Sequence, residues 1–335
     1  MHATTPMPPP DMPSNDNPKT GIALIMFAMV CITINDMLVK QLSYGYPLHQ
    51  MVFIRSAIGL PIMLVVLQFE GGFRMLRTRH IGLHLLRGLC IVGANMAFFA
   101  ALAELPLADT TALFFVAPLF ITLLSIPLLG EKVGPRRLAA VVVGFLGVLV
   151  ILRPGAGADA EAPNRLMFLL PVAAALGYAM MQILTRRLRV SAPASVMAVY
   201  IQFAFIATSI AFLLVAGDGR LAEGVESKSG QFLLRAWAWP TPADWPLFIA
   251  LGVLAAVVGY TLSQAYRTAN AATLAPFEYT AMPLAIMWGW TIFGERPDVW
   301  LYVGSTLIVG AGIYVFLREK ARGRVLAARR PTRRG

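Results

Sequence analysis

The chain has 335 residues, 58% of them hydrophobic and only 13% charged, and its mean hydropathy is +0.68. Soluble domains carry about 25% charged residues, so composition excludes an ordinary water-soluble protein and calls for a lipid-facing surface. The net charge of +11 does not indicate nucleic acid, because eight Lys/Arg and one Glu lie between Arg318 and Gly335. A basic tail directly after an apolar block reads as an anchor on the anionic headgroups of the bilayer.

Residues 1–19, rich in Pro, Asn and Asp, read as a disordered cytoplasmic leader. Ten apolar blocks follow, each near the length that crosses hydrocarbon. They are Gly21–Leu38, His49–Leu67, Ile81–Leu102, Asp109–Leu129, Leu138–Leu152, Arg165–Leu184, Ala194–Ala216, Trp245–Tyr266, Thr273–Phe293 and Val299–Leu317. Links rich in Gly, Pro and charge separate them. The longest, 217–244, carries Trp237 and Trp239 and leads into Trp245, residues suited to an interfacial belt. With both termini cytoplasmic, 19 of the 28 Lys/Arg fall in inner segments and 7 in outer ones, which is the orientation expected of a multi-pass protein.

The chain also resembles itself. LFITLLSIPLLGEK (Leu119–Lys132) answers LAIMWGWTIFGER (Leu284–Arg296), and GVLVILR (Gly147–Arg153) answers GIYVFLR (Gly312–Arg318), at an offset of 164 to 165. Ten spans divide into two fives, and because five is odd the second copy is inverted in the membrane. The fold expected is an all-α membrane protein of ten transmembrane helices in two inverted five-helix repeats, residues 20–153 and 164–318, followed by a basic cytoplasmic tail at 319–335. Inverted repeats that rock about a midplane site are a transporter arrangement.

Two copies of a unit that each end in P-L, then Gly-Glu-basic, then a Gly-rich helix resemble the EamA-type transporters of the drug/metabolite transporter superfamily. Gly130-Glu131-Lys132 and Gly294-Glu295-Arg296 carry the resemblance, with Pro118 and Pro283 upstream. It implies a secondary carrier in the cell inner membrane. Arg55–Pro61, Leu86–Gly88 and Ala275–Pro283 look most like the branch of riboflavin and S-adenosylmethionine uptake proteins. The alternatives that stay open are an amino-acid or drug exporter of the same superfamily and a lipid-translocating or structural membrane subunit.

A charge inside the bilayer costs a few kcal/mol and calls for a reason. Asp36 and Arg55 fall at similar depth in the outer half, and Arg87 and Glu278 in the inner half, so each couple is expected to pair. The competing reading for each Arg is snorkelling to the interface. Glu278 is the candidate for proton coupling, since burial raises a carboxylate toward a range where it exchanges a proton.

Polar residues at helical spacing, Tyr178–Gln182 and Tyr260–Gln264, with Asn95, are expected to line a cavity or a helix seam. Tyr266, Tyr279 and Trp288 offer flat faces to a planar or zwitterionic metabolite. Pro118, Pro276 and Pro283 are expected to break helices and free backbone groups for a ligand. The sequence holds no P-loop, no H-E-x-x-H and no nucleophile elbow, and its two cysteines, Cys31 and Cys90, make no metal spacing. No enzyme activity, metal or cofactor is therefore expected.

Overall fold

Apolar runs bounded by Pro or Gly satisfy their backbone in lipid only as helices, and helices are what these runs form. The computed structural model describes residues 18–77, 81–130, 133–153, 165–188, 194–268, 274 and 277–328; no strand occurs among them. Most of the leader, Pro276 and the end of the tail (329–335) lie outside the described residues.

The first helices are α1 (Pro18–Leu42), α2 (Leu48–Glu70) and α3 (Ile81–Leu102). The broken pair α4 (Leu107–Phe114) and α5 (Ala117–Leu129) precedes α6 (Pro135–Leu152), and then α7 (Leu169–Leu188) and α8 (Ala194–Ala216). A short α9 (Lys228–Leu234) leads to α10 (Trp245–Thr268), α11 (Ala281–Phe293) and α12 (Val299–Ala328). Among the described residues, eight stretches are long and apolar enough to cross a membrane, Leu107–Leu129 counting as one. Two expected spans are shorter. Apolar Leu138–Leu152 has 15 residues, and α11 has 13, about 20 Å of helix against ~30 Å of hydrocarbon.

Two of the expected spans are interrupted. The block Asp109–Leu129 is not one helix but two, interrupted at Phe115 and Val116. There the i→i−3 bonds of Phe115 to Ala112 (3.2 Å) and Val116 to Leu113 (3.3 Å) tighten the chain into a turn. Pro118, second residue of α5, lacks the N–H that would have bonded Phe114. The second half has a turn at the same place, Tyr279 and Thr280 before α11, with Thr280 bonded to Phe277 at 3.2 Å and Pro283 just inside the helix. Both broken segments end alike. Gly130 and Gly294 each adopt the left-handed φ of 68° that a side chain disfavours.

Helix starts recur at two offsets rather than one. α2 and α8 begin 146 residues apart, whereas α3 and α10, and the residues Pro135 and Val299 that open α6 and α12, stand 164 apart. The difference is the longer link at 217–244, which contains α9. Contacts follow the same matching. α3 packs on α7 as α1 packs on α10, and α2 packs on α10 as α3 packs on α8. α5 meets α7 as α1 meets α11, while α6–α12 and α2–α8 join equivalent helices to each other. Close approaches match too. A Cβ on Gly88 would lie 2.8 Å from Ala204 Cβ, and one on Gly252 2.5 Å from Ile58 Cβ, which are corresponding positions in the two halves.

The link at 217–244 is fastened across one end of the bundle. Gln50 Nε2 donates to Ala238 O at 2.5 Å and Gln50 Oε1 accepts from Ala238 N at 3.1 Å. Arg235 donates to Tyr44 O at 2.8 Å, and Ser229 Oγ to Ala100 O at 2.7 Å. Of the tryptophans expected in an interfacial belt, Trp239 is 85% exposed, but Trp237 packs its ring against His49 and Phe53.

Two measurements probe this packing. A Cβ on Gly147 would stand 2.7 Å from Gly304 O and 2.9 Å from Leu307 Cβ, where α6 crosses α12 backbone to backbone. Gly147→Val should lower stability by about 1–3 kcal/mol or more, read as a reduced thermal midpoint in detergent. Gly310→Ala, with open space around its Cβ, should leave the midpoint in place.

Asp244 tests the link. Hydroxyls of Thr241 and Tyr46, each at 2.6 Å, hold its carboxyl below the usual carboxylate range. A depressed folded value means the contribution is complete above the unfolded value of about 4 and is lost as pH falls through the lower folded one. Proteolysis within 217–244 should therefore stay slow at neutral pH and rise only in acid. Asp244→Asn should be cut faster at neutral pH, with little further acid dependence.

Candidate functional site

The two mid-helix turns meet. Phe115 and Tyr279, which correspond at the 164-residue offset, pack edge to face with centroids 5.1 Å apart. Phe114 packs on Tyr178 of α7 at 5.4 Å and on Phe98 of α3 at 5.2 Å. Gln182 donates to Tyr178 Oη at 2.6 Å, and Glu278 acts electrostatically on both Tyr178 and Tyr279. Tyr279 is 8% exposed, and its hydroxyl has no hydrogen-bond partner among the described residues. Gly312 of α12 makes room for that hydroxyl, since a Cβ there would overlap it. Aromatic faces, one carboxylate and an unpartnered hydroxyl thus converge where both halves break their helices.

A second polar group lies between α1, α2 and α3. Arg55 is buried, donates to Asn95 Oδ1 at 3.3 Å, and has its guanidinium 5.3 Å from the Phe205 ring centroid and 5.8 Å from that of Phe99. Asp36 accepts from Asn35 Nδ2 at 3.2 Å and lies within electrostatic reach of Arg55. Asn35 Oδ1 is buried without a partner among the described residues. Trp288 of α11 reaches the same helix, donating Nε1–H to Thr33 Oγ1 at 3.3 Å. Asp36, Arg55, Asn95 and Trp288 are therefore brought into one neighbourhood, with a through-space attraction between the acid and the base rather than a close ion pair.

The other expected couple is not formed. Arg87 is buried and gives Nε–H to Thr185 Oγ1 at 2.8 Å and Nη1–H to Met197 O at 3.2 Å, bracing α3 against α7 and α8. Glu278 bears instead on the two tyrosines. Tyr260 and Gln264 do bond, at 3.2 Å, and Tyr260 is 44% exposed. The side chain of Tyr266 and all of Pro276 lie outside the described residues.

One constellation went unpredicted. Lys40, assigned by sequence to a link beyond the first span, is 5% exposed inside α1 and stands 2.5 Å from Glu295 Oε1. The clue was the Gly-Glu-basic motif itself, read only as a family mark.

A buried hydroxyl left unpaired costs about 1–3 kcal/mol. Tyr279→Phe should therefore keep or raise the thermal midpoint. If that hydroxyl serves a solute, transport should fall in the same variant, and unchanged transport kinetics would assign it to packing.

Comparisons with known proteins agree with this architecture. The model of the EamA-like transporter family matches residues 19–153. A riboflavin transporter of Rhizobium johnstonii is 33% identical over 76% of each chain. An S-adenosylmethionine uptake transporter of Rickettsia felis is 26% identical over 90% of this chain and 94% of its own. A pseudopaline exporter of Pseudomonas aeruginosa is 27% identical over 90% of this chain and 98% of its own. With eight apolar spans and these relatives along most of its length, the chain is a multi-pass membrane protein that belongs to the EamA-like transporter family.

Proposed function

We propose that the protein is a secondary transporter that moves a small organic metabolite across the inner membrane by alternating access between two inverted five-helix halves, residues 20–153 and 164–318. The observation that carries this reading is the meeting of Phe115 with Tyr279, equivalent residues at equivalent helix breaks. Broken helices facing each other at the centre of a bundle are how transporters present backbone to a solute. Helix contacts that exchange when the halves are exchanged support it. The short α6 and α11 then complete ten spans, and the Lys/Arg distribution puts both termini and the basic tail on the cytoplasmic side, against anionic lipid.

The solute is a planar or zwitterionic metabolite, riboflavin-like in shape. Phe98, Phe114, Tyr178, Tyr279 and Trp288 supply flat faces. Arg55 and Asp36 supply opposite charges that neither satisfies through a close ion pair. The Rhizobium relative is named for riboflavin. Proton coupling falls to Glu278, whose carboxylate sits beside two buried phenols. A second reading, export of a metabolite, draws on the Pseudomonas relative.

Purified protein in liposomes provides the test. Labelled riboflavin should enter, driven by an inward proton gradient, and Glu278→Gln should abolish accumulation while leaving exchange at equal concentrations. Flux of S-adenosylmethionine or an amino acid in its place would move the assignment within carriers. No flux of any of these solutes through monodisperse protein would return the chain to a lipid-moving or structural role.

A further inference from the structure

The Lys40–Glu295 constellation lies outside both clusters described above and joins the two halves. Lys40 Nζ is 2.5 Å from Glu295 Oε1 and donates to Leu105 O at 2.6 Å, with the two side chains 6% and 18% exposed. Glu295 Oε2 accepts from Leu107 N, the first residue of α4, at 2.8 Å. Glu295 N donates to Gly289 O at 3.0 Å, and a Cβ on Gly289 would stand 2.8 Å from Oε2. The carboxylate is therefore seated on a glycine of α11 and spans to α1 and to the turn before α4. The Phe293 ring centroid, 5.3 Å from Nζ, covers the ammonium. α1 and α4 belong to the first half, α11 and its following link to the second.

We propose that the Lys40–Glu295 ion pair is the outer closure of the transport path, and that Asp109 receives Lys40 when the closure opens. The proposal rests on the alternating-access reading. A dry pair attracts strongly and loses most of that attraction once water raises the local dielectric, which is the behaviour of a latch. A charge left alone at this depth would keep the latch shut, because breaking a buried pair strands its partners. Asp109 removes that obstacle. It lies on α4, in the same half as Lys40, within electrostatic reach of both Lys40 and Glu295. When the halves part, Glu295 leaves with the second and Asp109 stays. Among the described residues, the other charges facing this cluster are Lys228 of α9, which repels Lys40, and Arg153, which attracts Asp109 while paired with Asp298.

The closure and its second partner predict opposite effects. In full-length protein carrying Cys31→Ser and Cys90→Ser, a reporter cysteine replaces Thr33, beside Trp288. An impermeant maleimide is applied from outside to proteoliposomes. Glu295→Gln should raise the labelling rate several-fold. Lys40→Gln, which leaves Glu295 its bond to Leu107, should do the same and serves if Glu295→Gln is not recovered intact. The exchange Lys40→Glu with Glu295→Lys should return labelling toward the parent. Asp109→Asn should leave labelling at or below the parental rate and slow solute turnover. Parental labelling in the variants that break the pair overturns the proposal, and so does an Asp109→Asn protein that opens as Glu295→Gln does. Labelling needs no solute, so the two readings fail separately. Absent flux with responsive labelling removes the transport reading, whereas normal flux with unresponsive labelling removes the closure.

Discussion

Inside hydrocarbon a helix can be interrupted only where protein covers the backbone groups that the interruption frees. The turns at Phe115–Val116 and Tyr279–Thr280 meet that requirement by facing one another, with the Phe115 and Tyr279 rings in contact. Much else follows from this mutual cover. α4 must lie against α11, α7 must bring Tyr178 to the side of Phe114, and α12 must offer Gly312 where the Tyr279 hydroxyl projects. A break covered by its own counterpart is also a break that can be uncovered, since the cover belongs to the other half.

Three basic residues inside the bundle show how differently a buried charge is accommodated. Arg87 spends its guanidinium on a threonine hydroxyl and a carbonyl, a fixed brace that ties α3 to α7 and α8. Lys40 has a full counter-charge in Glu295 and a carbonyl besides, so it is the most completely satisfied of the three. Arg55 has one hydrogen bond to Asn95, two aromatic faces and a carboxylate reached only through space. A planar guanidinium tolerates that arrangement because it stacks on rings and is weakly hydrated. The donors it leaves uncommitted separate a residue available to a ligand from one that only braces the fold.

The apolar helices and the break near Pro118 were legible because each rests on a local rule: apolar length and a missing N–H. What failed was whatever depended on rotation about a helix axis. Asp36 and Arg55 do come near one another, but Arg87 and Glu278, matched by the same depth argument, do not. Depth fixes one coordinate of a side chain and leaves its azimuth free. α3 turns the Arg87 face to α7 and α8, where Thr185 and the Met197 carbonyl are nearer partners. Lys40 was missed through a boundary. Hydropathy ends the first span at Leu38, yet the helix continues to Leu42 and carries the lysine inward. The offset of 164 to 165 was right for the last three helices of each half and wrong for α2 and α8, because no sequence match was available to show where the insertion fell.

That insertion has a physical consequence. Two halves related by a repeat would close both ends of a path with equivalent contacts, yet only one end carries the link at 217–244. Its anchors run from one half to the other: Gln50 to Ala238, Tyr46 to Asp244, Glu104 and Ala100 to Ser229. Glu295 and Lys40 add an ion pair across the halves. Separating the halves at that end must break more hydrogen bonds than the repeat alone would require. The link can travel with either half only by giving up its bonds to the other. Its short extended stretch, held by backbone and amide groups, is the part that can release without unfolding a helix. The opening that the proposed alternating access requires would therefore have to go through Gln50 and Tyr46 as well as Lys40.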